Sequence, residues 1–194
     1  MSKKSKIKIE EDTKTEYFIK RVFAYMIDWY ISAVFLNLAI RLSLIFTGLG
    51  DEYGALVTRS NKAGAIIIVM SLIIAFIYYV LIPYTSKTTS TIMNKVMKFE
   101  IVNMDGSKPS LLTLTKRYFL GCFLLQGILY SPFNTIIQTI FQHINHSGTK
   151  SFDIILASAM TLIIAYSSYM ALKDKNTHQT VQDKISNTYV RKRK

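Results

Sequence analysis

A single cysteine, Cys122, stands among 194 residues, so no internal disulfide can form, and its place inside an apolar block points to packing. The short patterns that announce common chemistries are missing too. There is no HExxH, no GxxxxGK[ST], no CxxC pair and no nucleophile elbow. An intramembrane protease would need paired aspartates or a Ser-His couple inside the bilayer, and only Asp28 is available there. The chain therefore reads as no enzyme, with no cofactor. His143 and His146 are spaced as a metal pair could be, but no carboxylate or thiol accompanies them, so they read as loop histidines and no metal site is expected. Lipidation signals are lacking as well: residue 2 is Ser rather than Gly, and the chain ends in RKRK.

Charge is what the longest runs lack. The apolar residues, half of the total, collect in four blocks, at about residues 21–46, 63–84, 118–141 and 152–172, and three of these are almost free of charge. About 20 apolar residues cross about 30 Å of hydrocarbon. The pattern is that of an all-α membrane protein, a bundle of four transmembrane helices. The basic start resembles a signal peptide's, but the apolar run after it is too long, and Asn37 and Arg41 stand where a cleavage site would want small residues. We read it as a retained first helix.

The formal charge of +12 could serve nucleic acid, yet the basic residues are split among segments that the apolar blocks keep apart. Membrane orientation explains them better. Seven Lys and Arg lie in the N-terminal segment through Arg21, six in residues 86–117 and seven after residue 172, and only four elsewhere. The positive-inside rule then places both termini and the central segment in the cytoplasm, against anionic lipids. Domain boundaries follow: a basic tail at 1–20, mobile or lying on the surface as a short helix, a transmembrane domain at 21–172, and a polar tail at 173–194.

Within the central segment, Ile92, Met93, Val96 and Met97 have helical spacing for a short amphipathic turn on the bilayer. Phe99, Ile101 and the Asp105-Gly106 turn read as a small hairpin, and Ser110 as the N-cap of the helix that carries Lys116 and Arg117 inward. Pro132 should kink the third helix. In the fourth, Ser158, Thr161, Ala165 and Ser168 share one face, a small-residue stripe for close helix approach. Tyr78 and Tyr79 read as interface or packing residues, and Asn134 and Gln138 as interhelical hydrogen-bonders.

Asp28 is the residue that needs an account. It lies seven residues into the first span, roughly 10 Å below a boundary at Arg21, where an aspartate costs up to about 2.5–3.5 kcal/mol on insertion scales. It should face protein or water rather than lipid. Ser32 lies one turn deeper on its face, and Tyr25 could approach it.

Three stretches resemble the RDD family, bacterial membrane proteins named for one arginine and two aspartates. RVFAYMIDWYI carries Arg21 and Asp28. TIMNKVMKFEIVNMDGSKPS and LLTLTKRYFL carry Lys95, Asp105, Gly106 and Arg117, and HQTVQDKISNTYV carries Asp183 and Thr188. Two positions depart from the family pattern: Asn94 stands where a glycine precedes the lysine, and Gln182 where a histidine precedes the last aspartate. The resemblance implies a bacterial plasma-membrane protein with a polar cluster or ion site at Arg21, Asp28 and Asp183, supported by Ser32, Lys95, Arg117 and Thr188. Because arginine on a helix points back toward its N-terminus, Arg21 should meet Asp183 or Thr188 of a tail folded under the bundle, rather than Asp28. Lys95 is a candidate neighbour for Asp28. Two functions fit. The preferred one is an accessory or regulatory subunit bound to another membrane protein or to a second copy, with the cluster as a structural lock. The alternative is a cation/proton antiporter with Asp28 as the intramembrane site.

Overall fold

In the computed structural model the described residues are 14–52, 60–124, 131–144, 150–173 and 179–193. The expectations for His146 and most of the 1–20 tail fall outside them, as do the side chains of Cys122 and His143.

Helix α1, Lys14–Phe46, begins seven residues before the expected boundary at Arg21, absorbing the end of the basic tail. Helix α2 starts at Asn61, with Ser60 as N-cap accepting from the Lys62 N–H, and runs as α-helix to Ala75. It then widens into a π-turn over Phe76–Leu81 before a last α-turn at Ile82–Thr85. Side chains in a regular helix diverge by about 100° per residue. In the widened turn three consecutive ones, Tyr78, Tyr79 and Val80, are all buried, and such turns often mark functional positions. Among the described residues, Glu16–Phe46 and Asn61–Thr85 are the helices long and apolar enough to cross a membrane.

The segment that follows contains α3, Ile92–Val96, and strand β1, Phe99–Asn103. Here the expected hairpin is corrected. The Asp105-Gly106 turn does form, with Gly106 at φ +83 and the Asp105 carboxylate accepting from the Ser107 N–H and hydroxyl. The strand's partner, however, is β2, Thr188–Lys192, at the far end of the chain, paired antiparallel with Phe99 opposite Lys192 and Asn103 opposite Thr188. Alternation in β1 could signal a strand but not which segment would complete its ladder.

Ser110 caps α4 as the sequence indicates, accepting from the Thr113 N–H. This helix starts as Leu111–Thr115 and continues as a π-helix over Lys116–Leu124, so it opens before Tyr118 and carries Arg117 inside the packed structure. Helix α5 is described over Ser131–Ile144, with Pro132 near its described start; the residues before it, 125–130, are outside those described, and so is the kink expected at this proline. Helix α6, Lys150–Lys173, buries Met160, Ser167 and Ala171. The small-residue stripe expected to pack is instead largely turned outward, with Ser158, Thr161 and Ala165 exposed.

Within the tail after residue 172, the described part from residue 179 is structured: α7, Val181–Ser186, ends in a left-handed Asn187 and leads directly into β2. Helix α2 packs on α1 and α5, and α7 packs on the π-helical part of α4. That last approach depends on Gly121. A Cβ there would lie 2.5 Å from Gln182 Cβ and 2.8 Å from its Cα. Two apolar groups hold the bundle, one around Tyr79, Phe99, Leu114, Tyr118 and Phe133, the other around Leu36, Ile40, Leu44 and Ala63. In lipid such contacts stabilise through close packing rather than escape from water.

Candidate functional site

Two polar clusters, both built on α1, flank the point where the C-terminal segment returns. The first forms around Asp183, which is 0% exposed. As the third residue of α7 it completes a capping box: Asp183 Oδ2 accepts from the Thr180 N–H at 2.8 Å and from the Thr180 hydroxyl at 2.5 Å. The same carboxylate then meets two guanidiniums. Arg117 Nη1 bonds Oδ1 and also donates to Thr188 Oγ1 at 2.7 Å, while Arg21 Nη2 reaches Oδ2 at 3.3 Å. Ser186 Oγ lies 2.8 Å from Thr188 Oγ1, and the Tyr17 hydroxyl donates to the Val190 carbonyl at 2.6 Å, pinning β2 to the start of α1.

Arg21 and Asp183 thus meet as anticipated, but the closer and more deeply buried partner is Arg117, and Thr188 bonds Arg117 rather than Arg21. Burial pushes the Asp183 carboxyl up. The Arg117 and Arg21 charges and the Thr180 donors outweigh it and hold the group below the usual carboxylate range.

The second cluster forms around Asp28, 3% exposed. Its Oδ1 accepts from the Tyr78 hydroxyl at 2.6 Å and from the Met93 N–H at 2.9 Å, and its Oδ2 from the Thr91 hydroxyl at 2.5 Å. Thr91 occupies the N-cap position of α3 yet makes no side-chain cap bond there. Asp28 supplies the acceptor from another helix, presenting a carboxylate to orphan N–H groups that favour negative charge. The Thr91 hydroxyl has one proton; Asn94 Nδ2 donates to Thr91 Oγ1 at 2.7 Å, so that proton is directed at Asp28. Asn94, one of the two departures from the family pattern, is therefore part of the network.

Three expected neighbours of Asp28 stand elsewhere. Lys95 is exposed on the last turn of α3 and makes no ion pair with Asp28. Ser32 is fully buried, but its hydroxyl bonds the Trp29 carbonyl and the Tyr79 hydroxyl, each at 2.9 Å. Tyr25 is half-buried and lines the cavity described below. Tyr78 and Tyr79, which read as interface or packing residues, are in fact the hydroxyl donors for these two buried groups. The available signal was that an acid inside an apolar bundle needs donors, and tyrosines are among the few that α2 offers.

One cavity of about 380 Å³ is lined by members of both clusters, Arg21 and Arg117 from the first and Asp28, Thr91 and Asn94 from the second. Its remaining wall is mainly apolar, from α1 and α6, including Val22, Met26 and Ile164. Among the described residues, no group of three His, Cys, Asp or Glu could hold a metal ion.

No curated protein and no solved structure matches the chain. The model of the RDD family matches residues 17–187, which include nearly all of α1, Arg21, Asp28, Arg117, Asp183 and all of α7, and end one residue before Thr188. With the apolar helices and the arginine and two aspartates in their places, the chain belongs to the RDD family and is a membrane protein.

Proposed function

We propose that the protein is an accessory or regulatory membrane subunit whose C-terminal segment is locked onto the bundle by Arg21, Arg117 and Asp183. The observation that carries this reading is the saturation of both acids. Asp183 is shared by two guanidiniums and its own capping box, and Asp28 accepts from three donors on α2, the α3 N-cap and the α3 backbone. A carboxylate so engaged holds segments together, and stripping those donors to admit a cation would uncap α3. In this reading the chain crosses a bacterial plasma membrane four times with both termini cytoplasmic. The partner, another membrane protein or a second copy, meets the apolar face of α6, where Leu162, Tyr166 and Tyr169 are exposed.

Cation/proton exchange at Asp28 is the second reading, favoured by the cavity that reaches this acid. One experiment separates the two. Purified protein in liposomes is challenged with cation gradients while internal pH is followed, for wild type and Asp28→Asn. The lock reading expects no cation-driven pH change from wild type. It also expects less folded Asp28→Asn, because the amide turns a donor toward Tyr78, Thr91 or the Met93 N–H. Robust exchange by wild type, lost in an Asp28→Asn protein that accumulates normally, would overturn it.

A further inference from the structure

The stretch between α2 and α3, residues 86–91, is short and polar, yet Thr89, Ser90 and Thr91 are all buried. Thr89 also stands at φ +46. A β-branched residue in the left-handed region is an outlier that its surroundings must enforce. Three sets of contacts hold it there. Toward α1, Asp28 accepts from the Thr91 hydroxyl and the Met93 N–H. At the start of the stretch, the Thr89 N–H closes a turn on the Ser86 carbonyl, which Lys108 Nζ also reaches. Toward β1, the Ile101 N–H donates to the Thr89 carbonyl at 3.2 Å, and the Ser90 hydroxyl reaches the Phe99 carbonyl at 2.5 Å.

Those last two contacts occupy the edge of β1 that faces away from β2. In an antiparallel pair the backbone groups of alternate residues point outward. Ile101 is one of these, and Val190 stands directly opposite it on β2. The Val190 carbonyl in turn accepts from the Tyr17 hydroxyl at 2.6 Å. A line of bonded segments thus leaves α1 at Asp28, crosses residues 89–91, β1 and β2, and returns to α1 at Tyr17, about three turns earlier on that helix. A second link runs through α3 itself. Asp28 caps its N-terminus, and the Lys98 carbonyl, just past its end, accepts from the Arg193 N–H at 2.7 Å, next to β2.

We infer that residues 86–91 form a strained clasp, which Asp28 holds shut against β1 and which opens at Thr89 when that carboxylate is lost or engaged elsewhere, so that the state of Asp28 is reported at the C-terminal strand β2. Closed, the clasp keeps β1 in register with β2, and so keeps Thr188, at the start of β2, within reach of Arg117. Open, Thr89 returns to an unstrained φ, its carbonyl leaves Ile101, and the ladder loses the segment that backs it. The coupling is reciprocal, as any between two sites must be: loosening β2 loosens the grip on Thr91. Neither reading of Asp28 is presupposed, since a lock and an ion site would both use such a link.

Hydrogen–deuterium exchange of the full-length protein in detergent micelles, resolved by peptide, tests the clasp. Asp28→Asn should speed exchange of the β2 amides about five- to 150-fold, the span of ordinary coupling energies, while the α5 amides keep their rate. Thr89→Gly, which takes a positive φ without strain, should by itself leave β2 at the wild-type rate, and combined with Asp28→Asn should remove most of the acceleration. If Asp28→Asn does not accumulate, Thr91→Val, which deletes a single donor to the acid, takes its place. Faster exchange near α3 with β2 unchanged would overturn the link, and so would an equal rise in every helix, the mark of general loosening. An acceleration that Thr89→Gly leaves intact would overturn the strained clasp as its cause. None of these outcomes decides whether wild type moves cations, so the clasp and the proposed function fail separately.

Discussion

Asp183→Asn is the sharpest perturbation of the lock. The substitution keeps the size of the side chain and one acceptor oxygen, but its amide must face either Arg117 or the Thr180 donors, and two guanidiniums lose their counter-charge. Arg117 is 3% exposed, so its charge is poorly reached by solvent. Breaking a buried pair by removing one partner costs about 3–5 kcal/mol. The exposed pair of Arg191 with Glu100, by contrast, has its guanidinium 46% exposed and belongs to the class worth about 0–1 kcal/mol. Against a typical total stability of about 5–15 kcal/mol, the loss at Asp183 is large. It corresponds to a drop of about a hundred- to several thousandfold in the folded-to-unfolded ratio. Thermal unfolding in detergent, read as the fraction that stays monodisperse, measures it. The double change Arg117→Met with Asp183→Leu should recover most of the loss, because apolar replacement of a whole buried pair is often neutral. Asp183→Asn within about 0.5 kcal/mol of wild type, a surface-like value, would refute the reasoning. The pH dependence has a definite sign. The folded-state pKa of Asp183 lies below its unfolded value, so its contribution is present above about pH 4 and lost as pH falls through the folded pKa. Melting temperatures should therefore be insensitive to this group between pH 5 and 8, ~1 unit or more above the ordinary aspartate value, and fall only in stronger acid.

Two further changes probe the neighbouring contacts. Gly121→Ala sets a methyl 2.5 Å from Gln182 Cβ and 2.8 Å from its Cα, so α7 must move away from α4; overpacking of this kind costs about 1–3 kcal/mol, and an unchanged melting temperature would show that the close approach is not needed. Thr91→Val removes a donor from Asp28 and the acceptor of the Asn94 amide. A hydrogen bond to a charged group is worth about 1.5–3 kcal/mol, so limited proteolysis should cut near α3 faster in Thr91→Val but not in Thr91→Ser, and equal cutting in all three would count against Asp28 as the cap of α3.

What the chain settles by itself is local. Apolar runs of sufficient length mark α1 and α2 as candidate membrane helices, because hydropathy depends only on which residues are consecutive. Ser110 is legible as a cap since its partner, the Thr113 N–H, is three residues away. Asp28 and Arg21 stand out for their residue types in their setting, and the insertion cost of an intramembrane acid does not depend on the fold. What only tertiary structure decides is the identity of distant partners. Asp28 is answered by Tyr78 and Thr91, 50 and 63 positions on, and Asp183 by Arg117, 66 positions back. Strand β1 is completed by β2 across nearly half the chain. Any of several hydroxyls or bases could have served each acid as well in chemical terms. Which one does depends on how helices of given length pack and where a glycine lets two of them approach, and these distances exist only once the chain has closed on itself.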